Sequence, residues 1–209
     1  MMNQALLMID FQRDFCAIGG YADRQGGVAW ARAIVPAAQH LLAAARACGL
    51  FIVHTREGYA SDLSDVSAAK LARSRRAGAE IGTPGPLGRL LIRGEYGHDF
   101  IDELRPEAGE AIIDKPTYGA FCRSDLETML RARGIETVVL AGVTADVCVH
   151  TTLREAIDRG FDARYVRDAI STFDPRLRLA CEEMIAVEGG IWGEVTTVNA
   201  LETEWNSRP

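Results

Sequence analysis

Short apolar runs recur along the chain, and polar or turn-forming residues separate them. The runs predict strands at residues 5–9, 50–54, 111–114, 137–141, 163–166 and 194–198. Segments with helical spacing of apolar residues lie between them, notably 30–47, 124–133, 146–159 and 175–187. Strands that alternate with helices form a mainly parallel sheet covered on both faces. The pattern therefore predicts a three-layer α/β/α fold with a six-stranded, mostly parallel sheet.

Length and charge narrow the class of protein. A chain of 209 residues with 48% hydrophobic residues suits one well-buried domain, expected to span residues 1–209. The net charge of -6 argues against a nucleic-acid partner or an anionic membrane, since either would require a basic surface. A small-molecule substrate is the better expectation.

The cysteines indicate a reducing compartment. There are 5 of them, an odd number, without a CxxC pair or the spacing of a zinc module. The apolar run near the N-terminus is interrupted by Asp10, so it is too short for a signal peptide or a membrane span. A cytoplasmic location without membrane association is expected.

Three chemically distinct side chains follow three predicted strands. Asp10 ends the first, Lys115 follows the third and precedes Pro116, and Cys148 follows the fourth in the first turn of a helix that Asp146 is expected to cap. Because parallel strands end at the same sheet edge, these residues should meet there. Each also has an ordinary alternative: a turn-forming aspartate, a solvated lysine and a buried packing cysteine.

Together these side chains form a set suited to nucleophilic catalysis. The N-terminus of a helix and a nearby lysine favour a thiolate over a thiol, and a carboxylate can take the thiol proton. The sequence therefore predicts a nucleophilic cysteine supported by Asp10 and Lys115. In the loop at 11–27, Phe15 and Tyr21 are candidate pocket walls.

The stretch from 55 to 93 interrupts the alternation of strands and helices and is long enough to be a functional loop. It contains a basic cluster of Lys70, Arg73, Arg75 and Arg76. The cluster could bind phosphate, but the acidic total favours solvated charge or a subunit contact.

Three motifs, LLMIDFQRDF, IIDKPTYGAF and LAGVTADVCVHTTLREAIDRG, make the chain resemble the isochorismatase-like cysteine hydrolases. That family includes nicotinamidases, carbamoylsarcosine amidases, ureidoacrylate amidases and biuret hydrolases. The resemblance implies a catalytic triad of Asp10, Lys115 and Cys148 and a cis peptide bond between Val143 and Thr144. It also implies an oxyanion hole formed by the backbone N–H groups of Thr144 and Cys148, and a homotetramer.

Branches of this family differ in chemistry. Isochorismatases cleave a vinyl ether without a nucleophilic cysteine, so Cys148 argues against that reaction. Nicotinamidases hold a metal with an aspartate and nearby histidines, whereas His54 and His98 are isolated here and no D-x-H pattern occurs. Neither a metal nor another cofactor is expected.

The segments HTREGYASDLSD, RSRRAGAEIGTPGPLGRLLIRGE and VEGGIWG most resemble biuret hydrolases, with one departure. Those enzymes have glutamine before the paired glycines, where this chain has Glu188. If Glu188 faces the pocket, its carboxylate would accept hydrogen bonds from a substrate rich in N–H groups and would reject an anion. The alternative is a solvent-facing residue at a helix end.

The resemblance thus predicts an amidohydrolase of the linear ureides triuret or biuret, with Phe15, Tyr118 and Glu188 shaping the pocket. A ureidoacrylate or other carbamoyl amidase is the alternative enzyme. An inactive ligand-binding module is the alternative outside enzymes, and the complete triad argues against it.

Overall fold

The six expected strands pair in one parallel sheet in the computed structural model, which describes residues 3–207. The ends of the expected 1–209 domain lie outside the described residues. The strands are β1 (Gln4–Ile9), β2 (Phe51–Glu57), β5 (Ala111–Lys115), β6 (Thr137–Val143), β7 (Asp162–Ser171) and β8 (Glu194–Thr196). Their order is β5-β2-β1-β6-β7-β8, and β3 (Pro84–Gly85) and β4 (Gly88–Arg89) form a separate hairpin. The predicted fold class is confirmed.

Helices cover both faces of the sheet. They are α1 (Arg13–Cys16), α2 (Ala29–Arg32), α3 (Val35–Ala47), α4 (Ala68–Arg76), α5 (Leu126–Arg131), α6 (His150–Asp158), α7 (Pro175–Ala186) and α8 (Val198–Asn206). Along β1, Leu6 and Met8 belong to the core that contains residues of α3 and α8, whereas Leu7 and Ile9 belong to the core that contains residues of α5 and α6. This alternation follows from the opposite orientation of successive strand side chains. No helix within residues 3–207 is both long and apolar enough to cross a membrane.

Several predicted boundaries were wrong for identifiable reasons. The helix expected at 30–47 is divided into α2 and α3, because Pro36 begins a new helix in the first turn of α3. The helix expected at 124–133 is shorter, since α5 begins at Leu126 without a side-chain cap, and its Glu127 pairs with Arg131 and Arg159. Helix α8 was not predicted, although the Thr197 side chain caps it by accepting a hydrogen bond from Ala200 N.

The sheet edge that gathers the candidate residues is set by strand order. β1 lies between β2 and β6, and chain connections from these strands lead to opposite sides of the sheet. Such a switch point opens a crevice at the carboxyl ends of the strands, where α/β folds place ligands. Asp10 follows β1 and Cys148 follows β6, so both lie beside this crevice.

Candidate active site

Asp10 and Lys115 form an ion pair that is inaccessible to solvent. Lys115 Nζ lies 2.8 Å from Asp10 Oδ2, and both side chains are 0% exposed. The same ammonium donates to the carbonyl oxygens of Thr117 at 3.1 Å and Tyr118 at 2.9 Å. Three acceptors match its three hydrogens, so the buried cation is satisfied.

The Asp10 carboxylate is fixed on its other side by Thr55 of β2. Thr55 Oγ1 donates to Asp10 Oδ1 at 2.6 Å, and the Asp10 amide donates to the Thr55 carbonyl at 3.2 Å. Asp10 itself has a positive φ of 54°, a left-handed conformation that turns the chain sharply out of β1. Both carboxylate oxygens thus have defined partners.

Cys148 lies in a π-helical turn, Ala145–Val149, between β6 and α6. The bond between Val143 and Thr144 is cis, as the resemblance implied. Asp146 does not cap the helix as expected, because its Oδ1 accepts a hydrogen bond from Thr172 Oγ1 at 2.5 Å. The Cys148 residue is 5% exposed, so its thiol is reached only through the crevice.

Glu57, which sequence reasoning missed, is a second carboxylate at the thiol. Cys148 Sγ donates to Glu57 Oε2 at 3.6 Å. The other carboxylate oxygen, Glu57 Oε1, lies 2.9 Å from Lys70 Nζ and accepts a hydrogen bond from Tyr59 Oη at 2.8 Å. The second strand was predicted to end at residue 54, but β2 continues to Glu57 and carries it to the same edge as Asp10. A carboxylate just past an apolar strand was the available signal.

The environment of Cys148 favours the protonated thiol over the expected thiolate. Burial raises the pKa of Cys148 well above its ordinary value. The positive charge of Lys115 opposes this rise, whereas the charges of Asp10 and Glu57 add to it. Sequence reasoning counted one lysine and one aspartate and could not include either the burial or the second carboxylate.

The two charged partners of the thiol are ionised. Burial alone would lower the pKa of Lys115, but the negative charge of Asp10, together with that of Glu57, raises it above the ordinary value. Burial alone would raise the pKa of Glu57, and the ammonium groups of Lys70 and Lys115 bring it below the ordinary value. The site therefore holds a neutral thiol among charged, mutually paired groups.

A cavity of about 150 Å³ opens onto Cys148. Its walls are Phe15, Tyr21, Gln25, Glu57, Leu91, Tyr118, Val143, Thr144, Val147, Cys148 and Phe173. Three of the expected pocket residues, Phe15, Tyr21 and Tyr118, are therefore at the cavity. Glu188 is not, because it is exposed in the 3-10 turn Val187–Gly189 after α7. The expectation that it faces the pocket was wrong, and its alternative as a solvent-facing helix-end residue describes it.

A metal would meet an unfavourable charge distribution in this cavity. Asp10, Glu57 and Cys148 each offer a ligand atom, and these atoms lie within 4.8 Å of one another. However, the ammonium groups of Lys115 and Lys70 contact the two carboxylates at 2.8 and 2.9 Å. Their positive charges oppose a divalent cation at the same oxygens.

Two members of the basic cluster in the stretch from 55 to 93 lie in different environments. Arg75 forms an exposed ion pair with Glu80, in line with solvated charge. Lys70 is instead buried, pairs with Glu57, and lies 3.7 Å from the centre of the Tyr118 ring. Helix α4 therefore places the Lys70 ammonium beside Glu57, a role that the sequence did not predict.

Comparisons with known proteins identify the family of the chain. A model of the isochorismatase domain matches residues 4–199. Ureidoacrylate amidohydrolase RutB of Acinetobacter baylyi is 33% identical over 156 residues, covering 72% of this chain and 63% of that protein. RutB of Serratia proteamaculans is 28% identical over 184 residues, covering 82% and 71%. The chain thus spans slightly less than two thirds of the first relative.

Solved structures extend the likeness over nearly all of the chain. A cysteine hydrolase from Pseudomonas syringae pv. phaseolicola superposes with a TM-score of 0.83 at 26% identity, covering 98% of this chain and 93% of that one. N-carbamoylsarcosine amidase from Thermoplasma acidophilum gives 0.72 at 26% identity, covering 95% and 98%. The chain belongs to the isochorismatase family of hydrolases.

Proposed function

We propose that the protein is a cysteine-dependent amidohydrolase that cleaves a C–N bond of a ureido group. The observation that carries the proposal is the buried Cys148 thiol, at the base of a cavity and next to the Asp10–Lys115 pair. A thiol with a carboxylate and a fixed ammonium beside it is equipped for nucleophilic attack on a carbonyl. Packing alone does not require two buried lysines and two buried carboxylates around one cysteine.

In the first step Cys148 is deprotonated and attacks the substrate carbonyl. Substrate binding excludes water from the cavity, and the Cys148 proton passes to Asp10, the base that the family resemblance implies. The thiolate then adds to the carbonyl carbon, and the carbonyl oxygen gains the negative charge. Backbone N–H groups of Thr144 and Cys148 are proposed to stabilise that oxyanion, and one such donor typically contributes about a hundredfold in rate.

The second step releases ammonia and regenerates the thiol. Asp10 returns the proton to the departing nitrogen as the C–N bond breaks, which leaves a thioester on Cys148. Water then loses a proton to Asp10 and attacks the thioester carbon. The acid product leaves, and the sulfur recovers its proton. Lys115 keeps Asp10 oriented and compensates its charge throughout.

The first candidate substrate is a neutral linear ureide, biuret or triuret. It is supported by the small aromatic cavity, whose walls include one anionic residue, Glu57. The second candidate is ureidoacrylate, which the comparisons favour over biuret and triuret, because the curated relatives at 33% and 28% identity are named for that substrate. Both present a terminal ureido group to the cysteine, so the chemistry is common to the two.

The direct test is ammonia release from triuret, biuret, ureidoacrylate and nicotinamide. Wild type should release ammonia from at least one ureide, and Cys148→Ala should release none. Cys48→Ala is the matched control, because Cys48 is a half-buried cysteine at the end of α3, away from the cavity. Ammonia release that persists in folded Cys148→Ala, or a wild type inert toward all four compounds, would refute the proposal.

The family resemblance also leads us to propose a homotetramer in the cytoplasm. Exposed apolar side chains in α7 and the turn after it, including Leu177, Leu179, Met184, Val187 and Ile191, would suit a subunit contact. Light scattering of the purified protein measures the mass directly. A monomer at micromolar concentration would contradict the proposed assembly.

A further inference from the structure

We propose that Glu57 is the specificity-determining residue of the site: its Oε2 accepts a hydrogen bond from a substrate N–H next to the reacting carbonyl and disfavours anionic substrates. This inference rests on the proposed function for its biological meaning. Its structural basis is the placement of one carboxylate oxygen against the nucleophilic sulfur.

The backbone holds Glu57 firmly in place. It ends β2, and its Cα is in register with that of Lys115 in the neighbouring parallel strand β5. Gln12 fixes the strand end from the other side, since its Nε2 donates to the Glu57 carbonyl at 3.0 Å and its Oε1 accepts from the Glu57 amide at 2.7 Å. The residue is 4% exposed and lines the cavity at Cys148, so its carboxylate can meet a ligand there.

The two oxygens of Glu57 have different partners. Oε1 is occupied by Lys70 Nζ and Tyr59 Oη at 2.9 and 2.8 Å. Among the described residues, Oε2 accepts a hydrogen bond only from the Cys148 thiol, at 3.6 Å. When the sulfur bonds to a carbonyl carbon it has lost its proton, and Oε2 loses that donor. A buried carboxylate oxygen without a donor is costly, and a ureide places N–H groups on both sides of its carbonyl.

The charge of the cavity wall also favours a neutral substrate. Glu57 is the one charged side chain among the wall residues of the described chain. The two nearest ammonium groups are already engaged, Lys115 by Asp10 and Lys70 by the rear oxygen of Glu57. Within this cavity a substrate carboxylate would therefore meet the fixed negative charge of Glu57 and no cationic wall residue. The expected preference is for neutral ureides over ureidoacrylate.

A pair of alkylating reagents tests this recognition without a known substrate. Iodoacetamide and iodoacetate have the same shape, and both form an S–C bond to Cys148 with loss of iodide, but one ends in a neutral amide and the other in a carboxylate. The ratio of their rates cancels the amount of thiolate, which is the same for both reagents. Mass spectrometry of the peptide that contains Cys148 separates its labelling from that of the other cysteines.

The ratio of the iodoacetamide rate to the iodoacetate rate should be at least tenfold higher for wild type than for a small free thiol under the same conditions. In Glu57→Gln the ratio should fall at least tenfold toward that of the free thiol. Glu182→Gln is the matched control, because Glu182 is a buried carboxylate of α7 that pairs with Arg167 away from the cavity. Its ratio should equal that of wild type.

A wild-type ratio equal to that of the free thiol would overturn the inference, and this measurement needs no variant. An unchanged ratio in folded Glu57→Gln would also overturn it. Either result leaves the proposed function standing if wild type still releases ammonia from a ureide and Cys148→Ala does not. Conversely, wild type could prefer iodoacetamide as expected and yet hydrolyse no ureide. That result would refute the proposed function and support the recognition by Glu57.

Discussion

Asp10 and Lys115 are 105 positions apart in the sequence, yet they form a fully buried ion pair 2.8 Å long at the carboxyl edge of the sheet. The pair joins the end of the central strand β1 to the end of the edge strand β5. Removing one member leaves an uncompensated charge in the protein interior, which is far more costly than removing both.

Lys115→Met should therefore destabilise the protein by about 3–5 kcal/mol, the usual penalty for breaking a buried pair. The double variant Asp10→Asn/Lys115→Met should recover most of that free energy of unfolding but no activity, since it lacks the proposed base and the cation. Urea denaturation and ammonia release measure the two properties separately. Equal stability of the single and double variants would show that the pair is not coupled.

Thr55 offers a milder change beside the same carboxylate. Thr55→Val removes the hydroxyl that donates to Asp10 Oδ1 at 2.6 Å and keeps the β-branched shape. We expect kcat to fall by about tenfold or more with little change in KM, because Asp10 loses its orientation. Thr55→Ser keeps a hydroxyl and should retain most of the activity. Steady-state kinetics in which the two variants behave alike would exclude this role of the hydroxyl.

The protonation state of Cys148 predicts a pH dependence. Because the folded environment raises the thiol pKa well above its ordinary value, the thiolate is scarce near neutral pH and increases as pH rises. The rate of Cys148 alkylation by iodoacetamide in the free protein should therefore keep rising through pH 9. A rate that levels off between pH 6 and 7 would instead indicate a stable thiolate paired with Lys115.

Glu110 predicts how stability depends on pH. It precedes β5 and contacts Arg46 at 2.7 Å and His54 at 2.8 Å. Burial raises its pKa, but hydrogen bonds from Arg46, the Glu107 amide and His54 lower it to about 2, below the ordinary 4.5. A lowered carboxyl pKa gives stability that is present above pH 4.5 and is lost as the pH falls toward 2.

Glu110→Gln should accordingly cost about 2–3 kcal/mol at pH 7, and the difference from wild type should shrink toward pH 2. Glu107→Gln is the comparison, because Glu107 pairs with the same Arg46 but its side chain is 66% exposed. Its cost should be no more than about 0.5 kcal/mol. Thermal unfolding of wild type and both variants across this pH range measures these differences in stability. A difference between Glu110→Gln and wild type that does not change with pH would contradict the account.

Sequence patterns were sufficient to predict the candidate site residues that lie at the ends of strands. The runs before Asp10, Lys115 and Cys148 are apolar enough to predict buried strands, and parallel strands bring their ends together. The extension of β2 to Glu57 was not predicted, because polar residues follow the predicted strand at 50–54. Thr55 and Glu57 are polar because they contact Asp10 and Cys148, and hydrophobic patterning cannot distinguish such residues from a loop.

Other features depend on burial and contacts that one-dimensional reasoning does not contain. The thiol pKa was expected to fall because a helix end and a lysine lie near Cys148 in the predicted fold, but the burial and the Glu57 charge that raise it are not visible in the sequence. Glu188 was assigned to the pocket from its place in a motif, but the left-handed turn at φ 51° after α7 leaves it exposed. The selectivity that was expected from Glu188 moves to Glu57, whose carboxylate lies at the sulfur.

Trapping the covalent intermediate tests the central claim most directly. Wild type is mixed with biuret, or with whichever ureide releases ammonia, then quenched in acid within one turnover and digested for mass spectrometry. The account predicts an adduct on Cys148 with the mass of the substrate minus ammonia, and no such adduct on the other cysteines or in Cys148→Ala. Ammonia release in the first turnover without any adduct on Cys148 would contradict it and would indicate direct attack by water.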